Sequence, residues 1–348
     1  MSNISKIDRN FAIHTSLNID NVKFYDISDE HFSLYGVFFE NGVYRRLPEN
    51  VARNTNNGVY NLHTHTAGGR IKFITDSSFI AIKAVMPDIG KMPHFALSGS
   101  AGFDLYVGKK EEYHNSFIPP FDMTDGYEAV TYFECQKPRE ITINFPLYSS
   151  VAELYIGIDE NATLKKTSGY KHKKPIVFYG SSITQGGCAS RPGNSYESIV
   201  CRTLQTDYVN LGFSGSAKAE DEIAQYISRM DMSVFVYDYD HNAPTIEHLE
   251  KTHLKMFRTI REKNPDLPIV IMSRPKYKLN EEEKQRLAII KNTYNSTIVS
   301  GDNNTYFIDG PELMKYAGND GTVDGCHPND LGFYSMAKVL IKRLKKII

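Results

Sequence analysis

Two short stretches, far apart in the chain, hold residue types that together can carry out acyl chemistry. Gly180-Ser181-Ser182-Ile183-Thr184 follows directly on the apolar run of residues 176–179. Such a run, halted by a glycine, reads as a buried strand ending in a tight turn. A strand that stops this way presents a side chain at the lip of a sheet, and the nucleophile is assigned to Ser182. A serine hydroxyl reacts at neutral pH only if a base takes its proton and a third group fixes that base. Near the C-terminus, Asp324-Gly325-Cys326-His327-Pro328-Asn329 supplies both. An aspartate three residues before a histidine, in a turn ahead of a helix, can set its carboxylate against Nδ1 and leave Nε2 facing outwards. The competing reading of this stretch is a loop with a helix N-cap.

Two further positions complete the set. Gly215, in VNLGFSG, and Asn242, in VFVYDYDHNAP, each stand just past an apolar run. In an open parallel sheet, ligands bind outside the carboxyl ends of the strands, so Ser182, Gly215, Asn242 and His327 are expected along one edge. The backbone N–H groups of Ser182 and Gly215 and the carboxamide of Asn242 are suitable donors to a developing oxyanion. Arg191 and Arg274 follow the first and fourth of these runs and are candidate substrate contacts, with helix capping as the alternative for Arg191. Asp238, Asp240 and His241 read as a structural network behind Asn242 rather than a cation site. His63-Thr64-His65 reads as two imidazoles on one face of a strand with no evident third ligand, so no metal site and no cofactor is expected. Cys188 and Cys326 lie near the proposed site and read as small buried fillers.

The elements that must hold these residues fall into two regions. Residues 1 to about 165 read as all-β, with short β-branched and aromatic runs at 34–39, 70–75, 79–86, 103–107, 129–134, 140–145 and 152–158. Turn chemistry separates them, and their number and spacing imply a sandwich or jelly roll. Residues 159–174, polar and lysine-rich, read as a linker. From residue 174 to 348, strands at 176–179, 208–211, 234–239, 269–272 and 306–308 alternate with helical periodicity at 194–205, 245–264 and 330–346. That alternation implies a parallel sheet covered on both faces.

With 348 residues, 40 basic against 41 acidic side chains and 41% hydrophobic content, the composition is that of an ordinary globular protein. A net charge near zero gives no electrostatic basis for a nucleic-acid or acidic-membrane partner. No apolar run approaches the roughly 18–20 residues that span a bilayer. The four cysteines show no CxxC spacing, and the first residues lack the apolar core of a secretion signal. The expectation is a cytoplasmic, reduced protein whose partner is a small-molecule or oligosaccharide ester, with a homo-oligomer left open.

Residues 174–348 resemble an SGNH (GDSL-type) hydrolase, whose four signature residues are a Ser, a Gly, an Asn and a His. The first block here reads GSSIT rather than GDSL, so Ser181 replaces a non-catalytic Asp; NLGFSG gives Gly215, YDHNA gives Asn242 and DGCHPN gives Asp324 and His327. Gly102-Phe103-Asp104-Leu105-Tyr106 resembles the GxDLY domain that precedes some of these hydrolases. The resemblance implies a flavodoxin-like α/β domain and hydrolysis of a short acyl, often acetyl, ester on a sugar. The expected function is therefore a metal-independent serine esterase with Ser182, His327 and Asp324 as triad. The alternatives are a carbohydrate-binding protein with an inactive hydrolase half, and an acyltransferase using the same groups. Loops 90–102 and 112–127 of the β region are expected to reach over the sheet edge.

Overall fold

The computed structural model describes residues 15–348. Its first half is a sandwich of two antiparallel sheets. In the four-stranded sheet, Val22–Asp26, Glu153–Asp159, Phe79–Val85 and Gly126–Tyr132 lie side by side in that order. The other sheet runs Leu164–Lys165, Arg70–Thr75, Arg139–Asn144, Phe103–Val107, Glu112–Phe117, with Ser33–Tyr35 also paired to Arg70–Thr75. Alternate residues point inward, as the pleat demands. Ile71, Phe73, Phe103, Leu105, Ile141 and Ile143 of one sheet meet Ile80, Ile82, Leu154, Ile156 and Ile158 of the other in one core.

The second half is a five-stranded parallel sheet, with strands in chain order His172–Gly180, Thr206–Gly212, Val234–Asp238, Ile269–Met272 and Thr305–Ile308. Their spatial order, 2-1-3-4-5, is the flavodoxin-like winding. The central strands are continuous apolar runs because helices cover both faces. Tyr196–Leu204 and Asp330–Leu344 pack on one face, around Phe178, Val236 and Val270. Asp221–Ser228, Ile246–Lys263 and Glu281–Val299 cover the other, around Tyr179, Phe235 and Ile271. No helix among the described residues is long and apolar enough to cross a membrane.

The first half is not purely β. After the hairpin Phe38–Glu40/Val43–Arg45, turned at Asn41-Gly42 with both residues at positive φ, the chain forms two short helices, Glu49–Thr55 and Asn57–Leu62. Leu47, Val51, Ala52 and Val59 do not enter the sandwich core. They pack against Val177, Tyr179, Leu211, Phe213 and Ala217 of the parallel-sheet half. The segment therefore completes a core whose other members lie more than a hundred residues later. His63 ends the second helix and His65 lies in the following turn, so the expected HTH strand is absent. His63 is engaged by Arg45 and the Tyr60 carbonyl, and His65 by Asp88 and Gln185.

This shared core predicts how a fragment beginning at Lys174 behaves. Burying Leu47, Val51 and Val59 stabilises by about 1.5–3 kcal/mol each, a sum comparable to the whole stability of a typical domain, about 5–15 kcal/mol. Residues 174–348 expressed alone are expected to lack a cooperative thermal transition by circular dichroism. A sharp melt at the temperature of the full chain would show that the helices are dispensable.

Candidate active site

The first parallel strand ends at Gly180, where there is no room for a side chain. A Cβ there would lie 2.0 Å from the Asp238 carbonyl and 2.2 Å from Thr184 Oγ1. A four-residue helix, Ser182–Gln185, follows, and Gly186 closes it in the left-handed region at φ 97°. The two serines separate cleanly in this turn. Ser181 is the N-cap: it is fully buried, and its hydroxyl accepts from the Ile183 N–H at 3.2 Å. Ser182 is the first helical residue and is 8% exposed. Its Oγ lies 2.9 Å from His327 Nε2, and His327 Nδ1 lies 2.8 Å from Asp324 Oδ2. Its own N–H, at the first helical position, has no intrahelical partner.

The Asp324–His327 unit is a local device. Asp324 Oδ1 accepts from the backbone N–H groups of Cys326 (2.9 Å) and His327 (2.8 Å), while Oδ2 takes the imidazole. Partial burial acts to raise the Asp324 pKa, but the hydrogen bonds from the His327 side chain and the two backbone groups outweigh it and hold the carboxyl at about 2. An ionised Asp324 fixes Nδ1 as the protonated nitrogen and leaves the Nε2 lone pair towards Ser182.

The candidate oxyanion donors are tied to one another. Gly180, Gly212 and Asp238 lie level in the sheet, so the loops after the first three parallel strands emerge together. Gln185 Oε1 accepts from Ser214 N–H at 3.0 Å, which joins the Ser182 helix to the second loop. Asn242 Nδ2 donates to the Phe213 carbonyl at 2.8 Å, which joins the third loop to the second and leaves its other amide hydrogen free. Gly215 sits between at φ 65°, a left-handed conformation that glycine adopts without strain, and its N–H has no partner among the described residues. Three donors in adjoining loops can serve one developing negative charge.

Arg191 and Arg274 each have internal partners. Arg191 Nη1 lies 3.1 Å from Asp104 Oδ2 and also bonds the Tyr106 hydroxyl, and its guanidinium stacks 3.8 Å from the Tyr113 ring centre. Asp104 is completely buried and also accepts from Gly193 N–H (2.8 Å) and Asn144 Nδ2 (2.8 Å). The Asp and Tyr of Gly102–Tyr106 thus hold the segment after the Ser182–Gln185 helix onto the sandwich. Arg274 pairs with Glu283 at 3.3 Å and lies 3.6 Å from Asp240, beside Arg286. The Asp240 neighbourhood is therefore an internal ion network. Burial raises Asp238 to about 8, with Asp240 adding to the effect, while burial and nearby cations keep His241 neutral.

Sequence reasoning passed over several side chains that the sandwich half brings to the site. Tyr148 donates its hydroxyl to the Ser182 carbonyl at 3.0 Å and is backed edge-on by Phe95. His94, in the 90–102 loop, places its ring 5.7 Å from that of His327. Arg46 donates to the carbonyls of Gly212 (2.7 Å), Asn210 (3.0 Å), Leu62 (2.9 Å) and His65 (2.6 Å). None has a spacing signal, because each acts across the domain boundary. In the other proposed reaching segment, residues 112–117 form a strand of the sandwich.

Comparison with known proteins accords with this geometry. The GDSL-like lipase/acylhydrolase family matches residues 173–345, and the N-terminal GxDLY domain of SGNH-hydrolase-type esterases matches residues 22–164. No curated protein matches the sequence significantly. Among solved structures, a candidate GDSL-like lipase from Bacteroides ovatus is 30% identical, with a TM-score of 0.84 over 94% of this chain and 98% of its own. A salicylyl-acyltransferase from a tetracycline biosynthetic pathway has a TM-score of 0.77 at 18% identity, over 94% of this chain and 98% of its own. A family two carbohydrate esterase from Cellvibrio japonicus has a TM-score of 0.63 at 12% identity, with the same coverage. At those identities the last two show the fold alone. The match to the lipase across nearly the whole of both chains, with both family domains in order, makes this chain a member of the GDSL-like (SGNH) lipase/acylhydrolase family, a carboxylic ester hydrolase with a GxDLY N-terminal domain.

Proposed function

We propose that this esterase removes short acyl groups, acetyl foremost, from a carbohydrate by a Ser182–His327–Asp324 triad. The observation that carries the reading is the continuous chain Ser182 Oγ–His327 Nε2–His327 Nδ1–Asp324 Oδ2, at 2.9 and 2.8 Å. Ser182 Oγ attacks the acyl carbonyl carbon as Nε2 takes its proton. The N–H groups of Ser182 and Gly215 and the Asn242 carboxamide receive the oxyanion. His327 then returns the proton to the leaving alkoxide, and the same histidine activates water to release the acid. The carbohydrate part of the reading is supported by likeness in fold to family two carbohydrate esterases and to an acetyl xylan esterase from Butyrivibrio proteoclasticus.

A second reading, transfer of the acyl group to a hydroxyl other than water, is favoured by the likeness in fold to the salicylyl-acyltransferase. The machinery up to the acyl-enzyme is common to both. Running p-nitrophenyl esters of increasing acyl length beside acetylated oligosaccharides, with and without polyol acceptors, separates them. Hydrolysis predicts free acid as the product throughout and a preference for acetyl; acylated polyol as the main product would establish transfer.

Ser182→Ala is expected to abolish covalent labelling by a fluorophosphonate and nearly all turnover, while Ser181→Ala keeps a labelled nucleophile and loses stability through its missing cap. The reverse pattern would move the nucleophile to Ser181. Asn242→Ala is expected to lower kcat by about 10²–10³, the usual loss for one oxyanion donor. A raised KM with unchanged kcat would make Asn242 a substrate-binding residue instead.

A further inference from the structure

The side chains around His327 include two that the ester chemistry does not use. His94 is exposed on the loop from the sandwich, and Cys188 is buried in the turn after the nucleophile helix. Donor atoms of His94, Cys188 and His327 all lie within 4.8 Å of one another. We propose that these three residues form an inhibitory site for a thiophilic divalent cation, zinc foremost, which takes the His327 Nε2 lone pair that otherwise accepts the Ser182 proton.

The donor set has the right chemistry. One thiolate and two imidazoles suit zinc, which binds nitrogen at about 2.0–2.1 Å and sulfur at about 2.3 Å. A tetrahedron of those dimensions holds its donors about 3.3–3.6 Å apart, so a pair at the 4.8 Å limit closes by about 1 Å, a distance that side-chain rotation covers. Asp324 already bonds Nδ1 of His327 at 2.8 Å. A carboxylate on the far nitrogen is the arrangement that orients a metal-binding histidine and raises its basicity. Nε2 is therefore the donor to the cation, and it is the atom 2.9 Å from Ser182 Oγ.

The other two donors are held by the same contacts that dock the halves. Cys188 adopts φ 79°, unusual for a residue other than glycine. Its turn is clamped where Gly99 lies against the Ala189 carbonyl, with no room for a Cβ, and where Ser98 Oγ donates to the Ser190 carbonyl at 2.6 Å. His94 is followed by Phe95, which is buried against Tyr148. The backbone on both sides is thus fixed, and the closure falls to side-chain rotation, with the exposed His94 the freest of the three. On binding, Cys188 gives up its thiol proton to solvent, the cation gains one Cys188 sulfur and two imidazole nitrogens, and water fills the fourth position. The Ser182–His327 hydrogen bond is lost, so the nucleophile has no base.

The inhibition rests on His327 being the base in the proposed reaction, whereas the binding does not, and the test keeps the two apart. The full chain, freed of metal with a chelator, is titrated with Co²⁺ and then with Zn²⁺, following the thiolate-to-cobalt charge-transfer band. Fluorophosphonate labelling is followed in parallel. One cobalt per chain is expected, with a charge-transfer band that Cys188→Ser removes and Zn²⁺ displaces. His94→Ala is expected to weaken binding by at least about tenfold, the lower end of the loss when even a residue supporting a metal ligand is removed. Zinc should suppress labelling over the range in which it displaces cobalt, and EDTA should restore it. No charge-transfer band, or unchanged affinity in His94→Ala, overturns the site; His94 is exposed, so that variant decides even if Cys188→Ser fails to fold. Zinc that binds without suppressing labelling overturns the inhibition. Absence of labelling in the metal-free chain speaks against the triad, while the cobalt spectrum still decides the site.

Discussion

The buried guanidinium of Arg46 ties the N-terminal half of this molecule to the end of the second parallel strand. It is 2% exposed and faces carbonyls rather than a carboxylate. Removing a charge from water costs several kcal/mol unless hydrogen bonds replace its hydration. Burial pulls the Arg46 pKa down to about 9, which still leaves the group charged at neutral pH. Its Nη1 holds the Asn210 and Gly212 carbonyls at the end of the second parallel strand, and its plane lies over Phe213. The loop carrying Gly215 begins at that point. A residue of the N-terminal half therefore fixes the base of the loop whose N–H groups face the proposed oxyanion.

The other contacts across the boundary follow the same logic. A parallel sheet ends in a row of carbonyls and N–H groups that its own helices cannot all satisfy. Here the sandwich half supplies partners: Tyr148 to the Ser182 carbonyl, His65 to Gln185, Asp104 to Gly193 N–H and Arg191. The first two ties land on the Ser182–Gln185 helix, and the third on the segment that follows it. The candidate catalytic groups lie in the parallel-sheet half, and the sandwich adds ties to the loops that carry them. That division explains why the short helices 49–62 lie on the second core: they bring Arg46, His63 and His65 into position from both sides.

The candidate catalytic residues were legible because their chemistry is local. A serine after a strand-ending glycine, a carboxylate three residues before a histidine and donors just past strand ends are all short-range patterns, and the strand positions needed to align them were readable as apolar runs. For Arg191 and Arg274 the position at the carboxyl edge of the sheet was readable and their internal partners were not. Asp104 lies 87 residues from Arg191, and Asp240 and Glu283 flank Arg274 from separate elements. The helices at 49–55 and 57–62 were invisible for a related reason. They are too short to show a helical period, and their apolar residues serve a core assembled from the other half of the chain.

The departure at position 181 from the common GDSL pattern also has a physical setting. Ser181 is completely buried, its N–H donates to the Asp238 carbonyl at 3.0 Å, and its hydroxyl caps the nucleophile helix. The neighbouring Asp238 carboxyl has no hydrogen-bond partner among the described residues, and burial raises its pKa to about 8, so it is mostly neutral at pH 7. An aspartate at 181 would cap the helix equally well, since serine and aspartate are comparable N-caps. It would, however, bring a further ionisable carboxyl into a buried strand end that already carries Asp238 and Asp240, where loss of solvent disfavours the charged form. Serine keeps the cap and omits the charge.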